Sequence, residues 1–252
     1  MSTDAEAPSG SHTFTALEDA GKDFPSLRGA EAAESLDKWN VAPTMVAKVF
    51  RFGEPFAPEA AGAFLSDFFG SEAVQTAAPV STAPGTWGPL GALGAGAVKY
   101  ARLPTTVLRL DFFDRLRDAG VVRAGDVAKC LDVQCGDVLV SDRLRRLLLD
   151  ETCEDWDLFS AAEREELIFH VMRRLAVGGG MCQYEDRVAP YLDLTKALYK
   201  DLVTVQKTAA GVLQVGSLTF AVSDVAGASA SLFPRPGDNN FCYVVVDPVA
   251  RH

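Results

Sequence analysis

The chain has 252 residues, 48% of them hydrophobic, and a net charge of −10 from 24 Lys and Arg against 34 Asp and Glu. A chain of this length buries a sizeable core without disulfide or metal staples, and its acidity argues against a nucleic-acid or anionic-membrane surface, since both need a basic face. The five cysteines, odd in number and widely spaced, read as reduced cytosolic thiols and not as a disulfide framework.

The start, Met1-Ser-Thr-Asp-Ala-Glu, is polar and acidic and has neither part of a signal peptide. Residues 1–24 are expected to form a mobile acidic tail. Glu31 to Trp39 suits a short helix with Ala32, Leu36 and Trp39 on one face. Val46 to Phe52 suits a strand. Pro58 to Phe69 reads as a helix with Pro58 near its start, Gly70 past its end, and Phe64, Leu65, Phe68 and Phe69 on its apolar face. Residues 71–97 are rich in Ala, Gly and Pro and read as a long surface-loop insertion. Both 1–24 and 71–97 are therefore expected to be dispensable for folding. The longest charge-free run, 73–98, holds Pro79, Pro84, Pro89 and five glycines, which rules it out as a membrane span.

Residues 98–110 return to strand character, and Asp111 opens a helix through Phe112, Phe113 and Leu116 that ends near Gly120. Ser141-Asp142 can cap a helix over 143–149 whose core face is Leu144, Leu147 and Leu148. Ser160-x-x-Glu163 has capping-box spacing before the amphipathic run Leu167, Ile168, Val171, Met172 and Leu175, which stops at Gly178-Gly179-Gly180. Pro190 to Lys200 reads as a helix packing Tyr191, Leu194 and Leu198. From Leu202 the pattern turns to antiparallel strands: Val203 and Val205, Leu213 and Val215, Phe220 and Val222, then Tyr243 to Val246. Residues 225–240 form a second loose loop. Helices and strands cluster instead of alternating, so the fold class is α+β. No linker divides residues 25–252, which are expected to form one compact domain.

Catalytic signals are weak. Gly178–Gly180 follows a helix, whereas a phosphate cradle precedes one, and no Gly-Lys-Ser/Thr comes after it. Cys130, Cys135 and Cys182 would supply three thiolates to a metal, but zinc calls for about four ligands in closely spaced pairs. Cys182 is the best nucleophile candidate, yet its neighbours Glu185 and Asp186 would raise a thiol pKa, and a catalytic cysteine needs a nearby cation or His. The expectation is therefore no enzyme and no cofactor, with an enzyme or small-ligand site near Gly178–Asp186 kept as the alternative. Charge patterning says more. Arg143, Arg145 and Arg146 precede the run 150–166, where eight acids face Arg164 alone. These arginines either pair within the molecule or present a bipolar surface to a protein partner.

The run from Lys129-Cys130-Leu131-Asp132 through Ser141-Asp142, Leu144-Arg145-Arg146 and Gly178-Gly179 to Cys182-Gln183-Tyr184-Glu185-Asp186, Pro190-Tyr191-Leu192 and Tyr199-Lys200-Asp201-Leu202 closely resembles the cilia- and flagella-associated protein 300 family. Phe52-Gly53 and Val246-Asp247-Pro248 with Arg251-His252 extend the match over about residues 25–252. The resemblance implies a cytoplasmic and ciliary factor needed for assembly or transport of outer and inner axonemal dynein arms. The partners it implies are a Kintoun-type PIH-domain cochaperone, axonemal dynein complexes and the intraflagellar transport machinery. It supplies no catalytic residues. The resemblance implies that family members continue somewhat past the Asp-Pro…Arg-His motif in apolar and aromatic residues, so the expectation is either a naturally short terminus here or a final strand missing from the sequence. Because the specific motifs fall beside the charged segment, partner docking is expected at Arg145, Arg146, Tyr184, Glu185 and Asp186.

Overall fold

The computed structural model describes residues 12–17, 24–83, 86–91, 98–225, 232–233, 237 and 239–252. The first strand, β1 (Phe14–Leu17), lies within the segment read as a tail. It pairs antiparallel with β2 (Val49–Phe52), which is shorter than the strand read from Val46. The register sets Phe14 opposite Phe52 and Ala16 opposite Phe50, so one face of the pair is aromatic. Between them lies α1 (Ala30–Lys38), which buries Leu36. The next helix, α2 (Ala61–Gly70), covers the aromatic face. Phe64 meets Phe14 at 5.3 Å and Phe52 at 5.1 Å, and Phe68 meets Phe50 at 5.2 Å, all edge to face. Each such pair contributes about 0.5–1.5 kcal/mol beyond its buried area.

The stretch read as an inserted loop carries structure. It contains α3 (Glu72–Ala77) and a hairpin of β3 (Pro79–Ala83) and β4 (Thr86–Pro89). Val74, Val80 and Leu90 are buried, so this part of the Ala/Gly/Pro-rich segment packs into the core. Residues 92–97 lie outside the described residues.

A three-stranded sheet in the order β13-β12-β5 is built from β5 (Val98–Leu103), β12 (Leu218–Val225) and β13 (Tyr243–Val246), all antiparallel. Leu218 and Phe220 face the phenylalanine cluster under α2, while Ala221 and Tyr243 face the larger core. That core is centred on α7 (Leu167–Val177), packed against α5 (Arg143–Leu149) and α8 (Ala189–Leu202). Smaller elements fill in the chain between them. The one-turn helix α4 (Arg115–Asp118) leads to the short strand pair β6 (Val122–Arg123) and β7 (Asp126–Val127), and then to the hairpin β8 (Lys129–Cys135) and β9 (Val138–Asp142). Asp142 caps α5 as expected, accepting from the Arg145 N–H. The Ser160/Glu163 capping box forms on the single turn α6 (Ala161–Arg164). The chain then breaks at Glu166 before α7 starts. A second hairpin, β10 (Val205–Lys207) with β11 (Leu213–Val215), follows α8. The fold is α+β with antiparallel sheets, as the patterning predicts.

Candidate functional site

The conspicuous polar structure is the turn after α7, clamped between the end of α1, the start of α5 and the start of α8. Helix α7 stops because Gly178 adopts φ +68°, a conformation open to glycine without a Cβ penalty. The following backbone then runs against the end of α1. The Gly179 N–H donates to the Trp39 carbonyl at 2.9 Å, the Gln183 N–H to the Lys38 carbonyl at 2.9 Å, and Asn40 Nδ2 to the Gly180 carbonyl at 2.7 Å. A Cβ on Gly179 would lie 2.1 Å from the Asn40 carbonyl oxygen, so this approach needs a glycine. At the far end of the turn, the Glu185 carboxylate accepts from Lys38 Nζ at 2.8 Å and Trp39 Nε1 at 3.0 Å.

Arg145 sits at the centre of this clamp, 1% exposed. Its Nε donates to the Ala176 carbonyl at 2.9 Å, Nη2 donates to the Tyr191 hydroxyl at 2.6 Å, and Nη1 pairs with the buried Asp142 carboxylate. The guanidinium carbon lies 3.4 Å from the Tyr184 ring centroid. The Tyr191 hydroxyl also accepts the Glu185 N–H at 2.9 Å, and its ring packs against Trp39 at 4.6 Å. Burial pushes the Tyr184 and Tyr191 hydroxyls up to about 12, so both stay neutral donor–acceptors at physiological pH.

Arg145 is thus an interior residue, and the expectation that it offers charge to a partner is corrected. Asp142 and the Ala176 carbonyl satisfy it inside a low-dielectric site, where an unpaired guanidinium would be costly. Arg146 stays half-buried on the surface and pairs with Asp150 at 3.1 Å. Tyr184 is half-buried beneath Arg145. Glu185 is consumed by α1. Asp186 is exposed and bonds Lys129 at 2.8 Å, which lowers its pKa. Four acids of the run 150–166, Asp150, Asp155, Glu163 and Glu166, are also drawn inward, while Glu151, Glu154, Asp157 and Glu165 stay exposed. Arg143 grips Asp155 through Nε at 2.8 Å and Nη2 at 2.6 Å. Arg115 pairs with Glu163 at 2.8 Å, which with the Ser160 N–H holds that carboxyl at about 2. Buried Glu166 accepts from the Thr106 N–H at 2.9 Å. Intramolecular pairing therefore accounts for these charges.

The candidate nucleophile fares no better. Cys182 donates weakly to the Val177 carbonyl at 3.7 Å and accepts from the Tyr184 hydroxyl, and burial pushes its thiol pKa up. Burial also raises the thiols of Cys130 and Cys135. Among the described residues, no three Cys, His, Asp or Glu side chains gather as metal ligands. Three residues that complete the clamp, Lys38, Asn40 and Tyr191, were not legible as site residues. Tyr191 showed a core-facing position and a place in the Pro190-Tyr191-Leu192 motif but no site role, and Lys38 and Asn40 carried no signal.

A family model described as Cilia- and flagella-associated protein 300 matches residues 11–252. The chain belongs to that family. A Chlamydomonas reinhardtii protein of the same description is 36% identical over 232 residues, covering 90% of each chain. One from Paramecium tetraurelia is 30% identical over 219 residues, covering 86% of this chain and 83% of its own. No solved structure matches the chain. The span matched by the cilia- and flagella-associated protein 300 family model contains the whole clamp, including the Cys182–Asp186 motif. The family ties the chain to cilia and flagella. Among the described residues no helix is long and apolar enough to cross a membrane.

Proposed function

We propose that this family member is a non-enzymatic factor for assembly or transport of outer and inner axonemal dynein arms, acting in the cytoplasm and the cilium. Its proposed partners are a Kintoun-type PIH-domain cochaperone, axonemal dynein complexes and the intraflagellar transport machinery. The observation that carries the reading is family membership over residues 11–252. The chemistry of the clamp is consistent with it. The thiol that would serve as a nucleophile is held neutral by burial, and the adjacent acids are engaged by Lys38, Trp39 and Lys129. These polar groups act on one another, which suits a structural role better than turnover.

Removing the protein from the ciliated cell that encodes it should strip outer and inner dynein arms from the axonemes and abolish motility. Re-expression of the chain should restore both. Axonemes that keep a full set of arms in the null cell would overturn the proposal. Restoration by a Cys182→Ala variant is expected, and failure of that variant to act while folded would favour the enzymatic alternative.

A further inference from the structure

Between β5 and α4 the chain runs without regular structure at residues 104–108 and is pinned to the start of α7 at two points. The Pro104 carbonyl accepts the Leu167 N–H at 3.0 Å, and the Thr106 N–H donates to the Glu166 carboxylate at 2.9 Å. The Thr106 hydroxyl donates to the same carboxylate. Thr105 lies between the pins, half-buried, and its hydroxyl has no hydrogen-bond partner among the described residues. Irregular surface segments held by a rigid scaffold are where modifying and binding partners gain access to a chain.

Thr105 lines a groove of about 540 Å³ between this segment and β11. Arg102 is the one charged residue of the lining, and the other polar side chains are Thr105, Thr106, Gln214 and Ser217. Arg102 is exposed and pairs with no carboxylate among the described residues. Glu166, behind Thr106, is 5% exposed and does not line the groove. An anion placed there meets a guanidinium, hydroxyls and an amide, and no like charge.

The sequence supplies a second, independent mark. Arg102 stands three residues before Thr105, and of the 24 Lys and Arg in the chain it alone has Ser or Thr at that spacing. Kinases choose substrates by charge pattern, and a cation three residues before the acceptor is the pattern read by the basic-directed class. Charge also decides which hydroxyl can carry the product. A phosphate adds a charge of about −1.5 to −2 and three acceptor oxygens, which order a segment opposite Arg and disrupt one beside Asp or Glu. The Thr106 hydroxyl bonds Glu166, the Thr152 hydroxyl lies 2.6 Å from Asp150, and the Ser160 hydroxyl lies 2.9 Å from Glu163. Thr105 shares its groove with Arg102 and with no acid.

We infer that Thr105 is a phosphorylation site for a basic-directed Ser/Thr protein kinase, with Arg102 as the recognition cation before transfer and the counter-charge of the phosphate after it. The terminal phosphoryl group of ATP passes to Thr105 Oγ1, ADP leaves, and the hydroxyl proton goes to the catalytic carboxylate of the kinase. The inference rests on this groove and is independent of the dynein-arm reading. The test incubates the folded full chain with Mg-ATP and a calmodulin-activated kinase of this specificity, and maps the label by mass spectrometry. A single phosphate on Thr105 is expected. Thr105→Ala should take up none, and Thr105→Ser should be labelled. Arg102→Gln should lower kcat/KM for labelling about tenfold, as loss of one charge-assisted contact does. No label on the folded chain, label on other hydroxyls in place of Thr105, labelling of Thr105→Ala at the parent rate, or an unchanged kcat/KM for Arg102→Gln would each overturn the inference. So would an unmodified Thr105 in the chain purified from ciliated cells under phosphatase inhibition.

Discussion

Arg145 separates an interior role from a surface one, and its removal is the sharpest test of the clamp. Arg145→Ala deletes a guanidinium held by Asp142, Tyr191 and the Ala176 carbonyl, and leaves the Asp142 carboxylate 2% exposed without its counter-charge. Breaking a buried pair from one side costs about 3–5 kcal/mol. In a domain of this size each kcal/mol moves Tm by about 2–4 °C, so the variant should melt roughly 6–20 °C lower. Arg146→Ala removes an exposed-face pair with Asp150 and should leave the melting curve unchanged. The double variant Asp142→Asn with Arg145→Met leaves no buried charge unpaired and should regain part of the loss, with a coupling of about 0.5–3 kcal/mol. Melting curves by circular dichroism, run beside capture of a Kintoun-type factor normalised to folded protein, read both roles. A melting point for Arg145→Ala within about 2 °C of the parent would refute the reasoning. So would loss of capture by folded Arg145→Ala.

Gly179→Ala drives a Cβ into the Asn40 carbonyl at 2.1 Å, whereas Gly180→Ala enters open space. Overpacking should cost the first about 1–3 kcal/mol in urea titrations and the second nothing beyond error, and equal midpoints would contradict the clamp. Burial lowers the buried His170 imidazole from 6.5 to about 4. The unfolded chain therefore holds that proton more tightly, and the contribution of His170 is complete above pH 6.5 and lost as pH falls toward 4. His170→Phe should flatten the stability profile in that window. Glu163, held at about 2, acts below pH 4.5 and serves as a check that the window is assigned to the right group. Leu90→Ala, inside the segment read as a dispensable loop, should cost about 2–5 kcal/mol because its side chain is 1% exposed. A neutral result would restore the loop reading.

The elements that were legible in the sequence carry their signals locally. The Asp142 cap, the Ser160/Glu163 box and the Gly178 stop each depend on residues within four positions. What escaped depends on distant partners. Phe14-Thr-Ala-Leu is four residues long and becomes a strand only because β2 lies 35 positions on. Val74, Val80 and Leu90 are too sparse to show periodicity, and each is buried by tertiary contact. Arg145 misled for the same reason. Its nearest acid in the sequence, Asp142 three residues back, was read only as a helix cap, and its other partner, Tyr191, lies 46 residues on. The hairpin β8–β9 had a local signal in Gly136-Asp137, where Gly136 takes φ +57°, but the flanking residues mix polar and apolar without strict alternation.

The motif most specific to the family is therefore explained by what it bonds within the chain. In Cys182-Gln-Tyr-Glu-Asp, the Gln183 N–H holds Lys38, the Tyr184 ring underlies Arg145, Glu185 binds Lys38 and Trp39, and the Asp186 carbonyl accepts the Val127 N–H at 2.7 Å. The side chains of Tyr184 and Glu185 are committed in this way to the joint between α1, α5, α7 and α8, whereas those of Gln183 and Asp186 stay exposed. Docking through the surface charges of Arg146 and Asp186 would weaken as ionic strength rises past about 0.1 M, whereas recognition through apolar burial is little screened. A salt titration of partner capture decides between them: steep loss assigns capture to the charged rim, and capture that holds from low to high salt removes Arg146 and Asp186 from the interface.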